Sequence, residues 1–218
     1  IYLQPDLGTA LILFLTWVGM VFLSGVRWRH MALLAGGAVI GAPFLWFRLK
    51  GYMRERVLTF LFPASDPSEA SYNVMQALIS IGSGGIWGKG LLHGTQSQLY
   101  FLRVRHTDFI FSVLAEELGF VGAVLLLALF VVLVLRLIRI ALLAPDVSGR
   151  LIVAGVAMML TTQTFINLGM NANLLPVTGL PLPLVSYGGS SLLATLVGLG
   201  LAQSVALRRK GPESGPLA

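Results

Sequence analysis

A carboxylate stands beside a long apolar run in the stretch Arg105–Gly119, RHTDFIFSVLAEELG. Thr107 and Asp108 are helix-capping residue types, and Phe109–Leu135 is apolar almost without interruption. On the first turn of a helix that begins here, unpaired N–H groups and the helix dipole would favour an ionised Asp108. The local pattern leaves two interpretations open: a reactive carboxylate at a lipid–water boundary, or a helix cap.

Glu116 and Glu117 lie about two turns inside the same apolar run. At about 100° per residue, Glu116 is about 80° from Asp108 around a helix and Glu117 is opposite it. Ionisable groups at membrane depth need partners. We therefore expect both glutamates to be structural, packed into the bundle and paired. Asp6, at the end of the first apolar run, is expected to be structural as well, as a cap or as half of an ion pair with an arginine.

Other kinds of chemistry have weak support in the sequence. The chain has no cysteine, so neither a disulfide framework nor a thiolate metal site is available. Three histidines occur without metal-ligand spacing: His30, His93 and His106. Ser186, Ser190 and Ser191 lie in SYGGSS, which is not a hydrolase nucleophile motif, and we interpret them as small residues in helix packing.

The composition indicates an all-α integral membrane protein. The 218 residues are 56% hydrophobic and 11% charged, with mean hydropathy +0.84, which exceeds what a soluble core of this size could bury. The net charge of +6 comes from basic residues that flank apolar runs, a pattern of topology signals and anionic lipid contacts rather than nucleic-acid binding. We interpret the chain, which opens directly on an apolar run, as the downstream part of a longer protein.

Five apolar runs are long enough to be membrane spans, and lipid exposure requires each to be helical. The predicted spans are 7–26, 31–47, 109–135, 151–170 and 186–207, within one membrane domain 1–210 followed by a flexible tail, 211–218. Pro43 should kink the second span. Three connections on one side carry arginine or lysine, which predicts that side as cytoplasmic. Residues 48–108 then form a long extracytoplasmic loop.

This loop contains two further patterns. Tyr72–Ile81 has helical spacing of apolar and polar residues, which predicts a short amphipathic or re-entrant helix at the outer surface. GSGGIWGKG, around Lys89, is a flexible turn or a backbone nest for a phosphate. Surplus basic residues in the loop favour an anionic ligand. A lone carboxylate, cations and underlying spans together suit a lipid-borne anionic substrate.

Several motifs at matching spacing resemble one family over nearly the whole chain. QPDLGT, SGVRWRH, KGLLHGTQSQ, RHTDFIFSVLAEELG and LPVTGLPLPLVSYGGSS are similar to the SEDS family of shape, elongation, division and sporulation proteins, and more to its RodA-like elongation branch than to its FtsW-like division branch. The family has ten membrane helices. The resemblance therefore implies that the five spans are the sixth to tenth, with residues 48–108 as the loop between the seventh and eighth.

The resemblance implies a peptidoglycan glycosyltransferase of the bacterial inner membrane that polymerises lipid II for cell elongation and rod shape, together with a class B penicillin-binding protein. Asp108 falls on the family's essential aspartate, as general base in an inverting transfer. Candidates for binding the diphosphate are Lys89, Arg54 and Arg56, and candidates for sugar contacts are Gln96, Gln98, His106 and Thr107. No cofactor is assigned, and a divalent cation, Mg²⁺ or Mn²⁺, is left open.

Two features depart from the family pattern. The lip before Thr107 is more basic than is usual, and Asn173 stands where glycine is common, although asparagine tolerates a left-handed backbone. Two other functions stay open at this point: a lipid II flippase, which needs spans and an anion site but no base, and a non-catalytic scaffold for the penicillin-binding protein.

Overall fold

The computed structural model describes residues 7–48, 69–95 and 107–208, together with the isolated positions 51, 54, 58 and 60. Within these ranges the regular secondary structure is all helical, without a strand. The helices are α1 (Leu7–Leu23), α2 (Trp28–Arg48), α3 (Glu69–Ser83), α4 (Ile110–Leu142), α5 (Val147–Asn171) and α6 (Gly189–Arg208). The predicted all-α architecture is confirmed.

The helix ends differ from the predicted spans for local reasons. α4 continues to Leu142, because Arg136 and Arg139 end the apolar run without ending the helix. α5 begins at Val147, where the side chain of Asp146 caps the helix by accepting a hydrogen bond from the Gly149 N–H at 2.8 Å. In the described part of the chain, three helices are long and apolar enough to cross a membrane, α4, α5 and α6, and α1 is a shorter apolar helix.

α5 is the central helix of the bundle. It packs against α1, α3, α4 and α6. Its contacts with α4 and α6 form one hydrophobic cluster, composed of Leu137, Ala141, Val153, Val156, Ala157, Leu160, Ala202 and Val205. The outward faces of α4 and α6 carry exposed large apolar side chains, as expected for helices that face lipid.

Close glycine contacts define how neighbouring helices run. Gly19 of α1 lies against Met158 of α5, and Gly8 lies against the loop after α5, at Thr178. Gly149 at the start of α5 lies against Val205 near the end of α6. α1 and α6 therefore both run antiparallel to α5. Arg139, Arg150 and Arg208 lie at one end of the bundle, and Asp108, which precedes α4, lies at the other.

α4 is broken at Gly119, which has φ 68° and ψ −167°. The Gly-rich segment, residues 84–90, supplies hydrogen bonds to both sides of the break. The N–H groups of Lys89 and Gly90 donate to the carbonyls of Glu116 and Glu117, both at 3.0 Å. The carbonyl of Gly85 accepts from the N–H of Phe120 at 2.9 Å, and that of Ile86 from Val121 at 3.2 Å.

These bonds change the interpretation of the Gly-rich segment. A helix break at membrane depth exposes carbonyls and N–H groups that lipid cannot satisfy. The expected flexible turn or phosphate nest is instead a fixed structural element, because two of its N–H groups are already bonded to α4. A Cβ added to Gly88 would overlap the carbonyl oxygen of Glu117, so glycine is needed there for close approach.

α3 extends the predicted helix at 72–81 and has two distinct faces. Ala77 and Ser80 are fully buried, and Ala77 packs with Phe109 and Met170. The apolar residues Tyr72, Met75 and Ile79 are exposed by about half. The helix therefore packs on the bundle through its small and polar side and turns its apolar side outward, which is the arrangement expected of a helix in contact with lipid.

Candidate functional site

Asp108 lies in a turn at residues 107–109, immediately before α4. The N-cap of α4 is Phe109, which is 2% exposed and packs against α3 and α5. Asp108 thus precedes the helix, and the expected position on its first turn is wrong. Asp108 is partly exposed at this end of the bundle.

Two buried amides of α5 bind the main chain of Asp108. Nδ2 of Asn167 donates to the Asp108 carbonyl oxygen at 3.0 Å, and Nδ2 of Asn171 donates to the same oxygen at 3.1 Å. Both asparagines have no exposed surface. Because the carbonyl points to α5, it cannot accept the hydrogen bond of a helical turn, and α4 begins after it.

The same face of α5 holds the α5–α6 loop, residues 172–188. Asn167 Nδ2 also donates to the Leu180 carbonyl at 2.7 Å, and one turn earlier Gln163 Nε2 donates to the Pro181 carbonyl at 2.9 Å. The turn with Asp108 and the α5–α6 loop are therefore bound to one helix by one row of amides.

Two serines complete these connections. Ser112 Oγ donates to Asn171 Oδ1 at 2.6 Å, which fixes the orientation of that amide. Ser186 Oγ donates to the Thr107 carbonyl at 2.5 Å and accepts from the Leu182 N–H at 2.7 Å. Ser186 was expected to pack in a helix; instead it precedes α6 and links the α5–α6 loop to the turn.

The Asp108 carboxylate lies over the α5–α6 loop. A Cβ built on Gly179, whose φ is +73°, would be 3.8 Å from Asp108 Oδ2. Glycine suits the left-handed backbone at this position, and a Cβ there would make only an ordinary van der Waals contact with the carboxylate. Asn173 has φ 55°, so the left-handed turn expected at that position is present.

Two cavities lie near this end of the bundle. A groove of about 690 Å³ is lined by Ile110, Leu192 and residues 184–189, and it lies next to the turn through Ile110 and Ser186. A second, mainly apolar cavity of about 640 Å³ lies between α3, α4 and α5, with Phe111, Ala115 and Phe165 among its lining residues.

Lys89 and Glu116 form an ion pair at the break in α4. Their Nζ and Oε1 atoms are 2.9 Å apart, and their side chains are 25% and 0% exposed. Lys89 Nζ also donates to Ser83 Oγ at 2.9 Å and Thr95 Oγ1 at 2.8 Å, and the Thr95 hydroxyl donates to Glu116 at 3.2 Å. Glu116 lies eight residues after Asp108, which is about 12 Å along a helix.

The remaining predicted site residues are less closely placed. Thr107 contributes its main-chain carbonyl to the turn, as described, and Glu117 is half-buried beside the helix break. Arg54 Nη2 donates to the Phe47 carbonyl at 2.8 Å. Five predicted residues lie outside the described part of the chain: Asp6, Arg56, Gln96, Gln98 and His106.

Sequence reasoning missed the amide row of α5. Gln163, Asn167 and Asn171 recur every fourth residue along α5, which places them on one face. Polar residues inside a membrane helix point to a function or to helix–helix contacts, so this spacing was an available signal. Among the described residues, no three His, Cys, Asp or Glu side chains form a metal-binding group.

Fold and site together define a multi-pass, all-α membrane protein whose partly exposed aspartate is held at one end of a helical bundle by buried amides. A family model described as "Cell cycle protein", that of the FtsW, RodA and SpoVE proteins, matches residues 1–211. The chain belongs to this family.

Individual relatives agree with this assignment. The chain is 49% identical over 208 residues to the peptidoglycan glycosyltransferase MrdB of Escherichia coli (strain K12), covering 95% of this chain and 56% of that protein. A structure described as "Structural coordination of polymerization and crosslinking by a peptidoglycan synthase complex" matches with TM-score 0.77 and 43% identity, over 96% of this chain and 58% of that one.

The rod shape determining protein RodA of Thermus thermophilus is a further structural match, with TM-score 0.60 and 42% identity over 96% of this chain and 52% of that one. The chain therefore spans a little over half the length of the relatives that it matches.

Proposed function

We propose that this protein is a peptidoglycan glycosyltransferase that polymerises lipid II into glycan strands during cell elongation. The observation that carries the proposal is the partly exposed carboxylate of Asp108, held on a fixed turn at the bundle end opposite the basic connections. The family assignment and the 49% identity to a protein named as such a transferase support it.

In the proposed reaction, Asp108 is the general base. It accepts the proton of the GlcNAc 4-hydroxyl of the acceptor, and that oxygen bonds to C1 of the donor MurNAc. The bond from C1 to the undecaprenyl diphosphate breaks, and the diphosphate leaves with the electron pair. An α-linked diphosphate becomes a β-1,4 linkage, so the single displacement inverts C1.

General-base assistance contributes roughly 10²–10⁴-fold to such a step. Substrate positioning and stabilisation of the departing diphosphate must supply the rest. The groove beside the turn and the apolar cavity between α3, α4 and α5 are consistent with a substrate that combines a polar head with a lipid tail.

Lys89, Arg54 and Arg56 remain the proposed diphosphate ligands, and Gln96, Gln98, His106 and Thr107 the proposed sugar contacts. Lys89 would serve the diphosphate only by leaving, or sharing, its ion pair with Glu116. A divalent cation could bind between the diphosphate and one carboxylate, because Mg²⁺ commonly uses one or two carboxylates together with substrate phosphates. The proposed displacement at C1 does not depend on this cation.

We further propose that the site faces the extracytoplasmic side of the inner membrane and that the protein acts with a class B penicillin-binding protein. The position of Arg139, Arg150 and Arg208 at the opposite end of the bundle supports this orientation by the positive-inside rule. The match to a peptidoglycan synthase complex supports a cross-linking partner.

The test is lipid II polymerisation by the purified full-length protein, with and without the penicillin-binding protein. Wild type and Glu117→Gln, which removes a carboxylate from α4, should form glycan strands, and Asp108→Asn should not. Movement of lipid II across liposomes without polymer, unchanged by Asp108→Asn, would favour a flippase. If cells with Asp108→Asn grow normally, and changes at the interface with the penicillin-binding protein abolish growth, the result would favour a scaffold.

A further inference from the structure

The amide of Asn167 joins the turn with Asp108 to the α5–α6 loop. A primary amide nitrogen has two N–H donors and no charge. At Asn167 one donor is bonded to the carbonyl of Asp108 at 3.0 Å and the other to that of Leu180 at 2.7 Å. One side chain therefore joins the turn that carries the carboxylate to the loop over which the carboxylate lies.

The chemistry of this position is specific. Aspartate has nearly the size of asparagine but would present oxygens to both carbonyl oxygens. Leucine would leave both carbonyls without this donor in a buried site, where an unsatisfied polar group costs about 1–3 kcal/mol. Asparagine donates to both carbonyls and carries no charge, and both properties suit position 167, which has no exposed surface.

Asn171, one turn further along α5, donates a second hydrogen bond to the carbonyl of Asp108. The hydroxyl of Ser112 donates to its Oδ1 at 2.6 Å, so its Nδ2 must face the Asp108 carbonyl, at 3.1 Å. Ser112 lies on α4, and the bond therefore ties the first turn of α4 to the end of α5. The carbonyl oxygen of Asp108 therefore accepts hydrogen bonds from two side chains, those of Asn167 and Asn171.

We infer that Asn167 and Asn171 are positioning residues for the catalytic base. They act through the main chain of Asp108 and through Leu180, and they fix where the carboxylate stands over the α5–α6 loop. This inference rests on the proposed role of Asp108. A general base must come within about 2.6–3.2 Å of the hydroxyl that it deprotonates, and a displacement of about 1 Å can reduce the rate about 10²-fold.

The kinetic test compares Asn167→Asp with Thr164→Val in the full-length protein, with lipid II as substrate. Thr164 is a buried residue of the same helix whose Oγ1 has no hydrogen-bond partner among the described residues, so valine removes an unpaired hydroxyl. Asn167→Asp should lower kcat about 10²-fold with KM little changed, because the base is misplaced while substrate binding persists. Thr164→Val should change neither.

A second measurement does not depend on activity. Hydrogen exchange, followed by mass spectrometry, should become faster at 107–109 and at 176–188 in Asn167→Asp, while the cluster around Leu160 stays protected. Thr164→Val should leave both segments as in wild type. This pattern supports the inference even if the wild type fails to polymerise lipid II, a failure that would count against the proposed function only.

Three results would overturn the inference. The first is an unchanged kcat in Asn167→Asp. The second is faster exchange in only one of the two segments, which would mean that the amide does not couple them. The third is an equal rise throughout the bundle, which would make Asn167 a general stability residue.

Discussion

At Asp108, the main chain and the side chain have separate tasks. The carbonyl is bound by two asparagines, whereas the carboxylate lies beside Gly179 of the α5–α6 loop. A substitution that keeps the main chain can therefore remove the chemistry and preserve the anchoring. Substitution of the Asp108 side chain therefore tests the role of the carboxylate separately from that of the main-chain hydrogen bonds.

For Asp108→Asn we expect polymerisation to fall by at least about 10²-fold, the lower range of general-base contributions. The free energy of unfolding should change by less than about 1 kcal/mol, because both asparagine bonds to the main chain remain. The measurements are glycan-strand formation from lipid II and thermal unfolding in detergent. Wild-type activity in this variant would exclude the carboxylate as base.

The ion pair of Lys89 with Glu116 predicts a stability effect as well as the proposed substrate effect. Lys89→Met would leave a buried carboxylate without its cation, and breaking a buried pair commonly costs about 3–5 kcal/mol. We expect a clear fall in melting temperature. In Lys89→Met combined with Glu116→Gln, which carries no charge at either position, most of the stability should return.

The double variant separates two roles of Lys89. If its ammonium also binds the diphosphate, as proposed, KM for lipid II should stay raised after stability is restored. If stability and KM recover together, Lys89 serves only the helix break, and the diphosphate ligand must be sought elsewhere.

At the level of elements, the broken α4 and the Gly-rich segment form one unit. The carbonyls before Gly119 and the N–H groups after it are bonded to residues 85–90. The break ends the first part of α4, which begins at the turn with Asp108. The main chain of the Gly-rich segment thus stabilises the helix that follows the turn with Asp108.

Gly88→Ala should destabilise the protein strongly. The residue has φ +79°, which costs an alanine about 1–3 kcal/mol, and the added Cβ would also overlap the Glu117 carbonyl. Gly82→Ala is the matched control, because it lies in α3 with open space around its Cβ. The measurement is thermal unfolding; equal melting temperatures for the two variants would contradict the close packing.

For the whole molecule, the two ends of the bundle differ in charge and in chemistry. Antiparallel helices bring Arg139, Arg150 and Arg208 to one end and Asp108 to the other. Applied to these three arginines, the positive-inside rule gives the expected orientation, and a lipid-linked substrate would be met at the Asp108 end.

Cysteine labelling tests this orientation. In a cysteine-free background, Ser148→Cys marks the arginine end and Ser190→Cys the Asp108 end, and both serines are exposed. A membrane-impermeant maleimide added to intact spheroplasts should label Ser190→Cys, and it should reach Ser148→Cys only after the membrane is opened. The reverse pattern would place the site in the cytoplasm.

The sequence by itself determined the all-α membrane class, most helix positions and the candidate carboxylate. These follow from local properties: the length of an apolar run, its flanking charges and a residue type at a boundary. The approximate positions of α4, α5 and α6 were predicted for this reason. Their ends were less certain, because caps such as Asp146 and helical continuation through Arg136 depend on single side chains.

Only the tertiary structure decided how the site is held. The bond from Asn167 to Asp108 joins residues 59 apart in sequence, and the bond to Leu180 joins residues 13 apart. Likewise, the break at Gly119 is satisfied by a segment that precedes α4. A hydrogen bond needs two atoms about 3 Å apart, and no local pattern specifies which distant carbonyl a buried amide will meet.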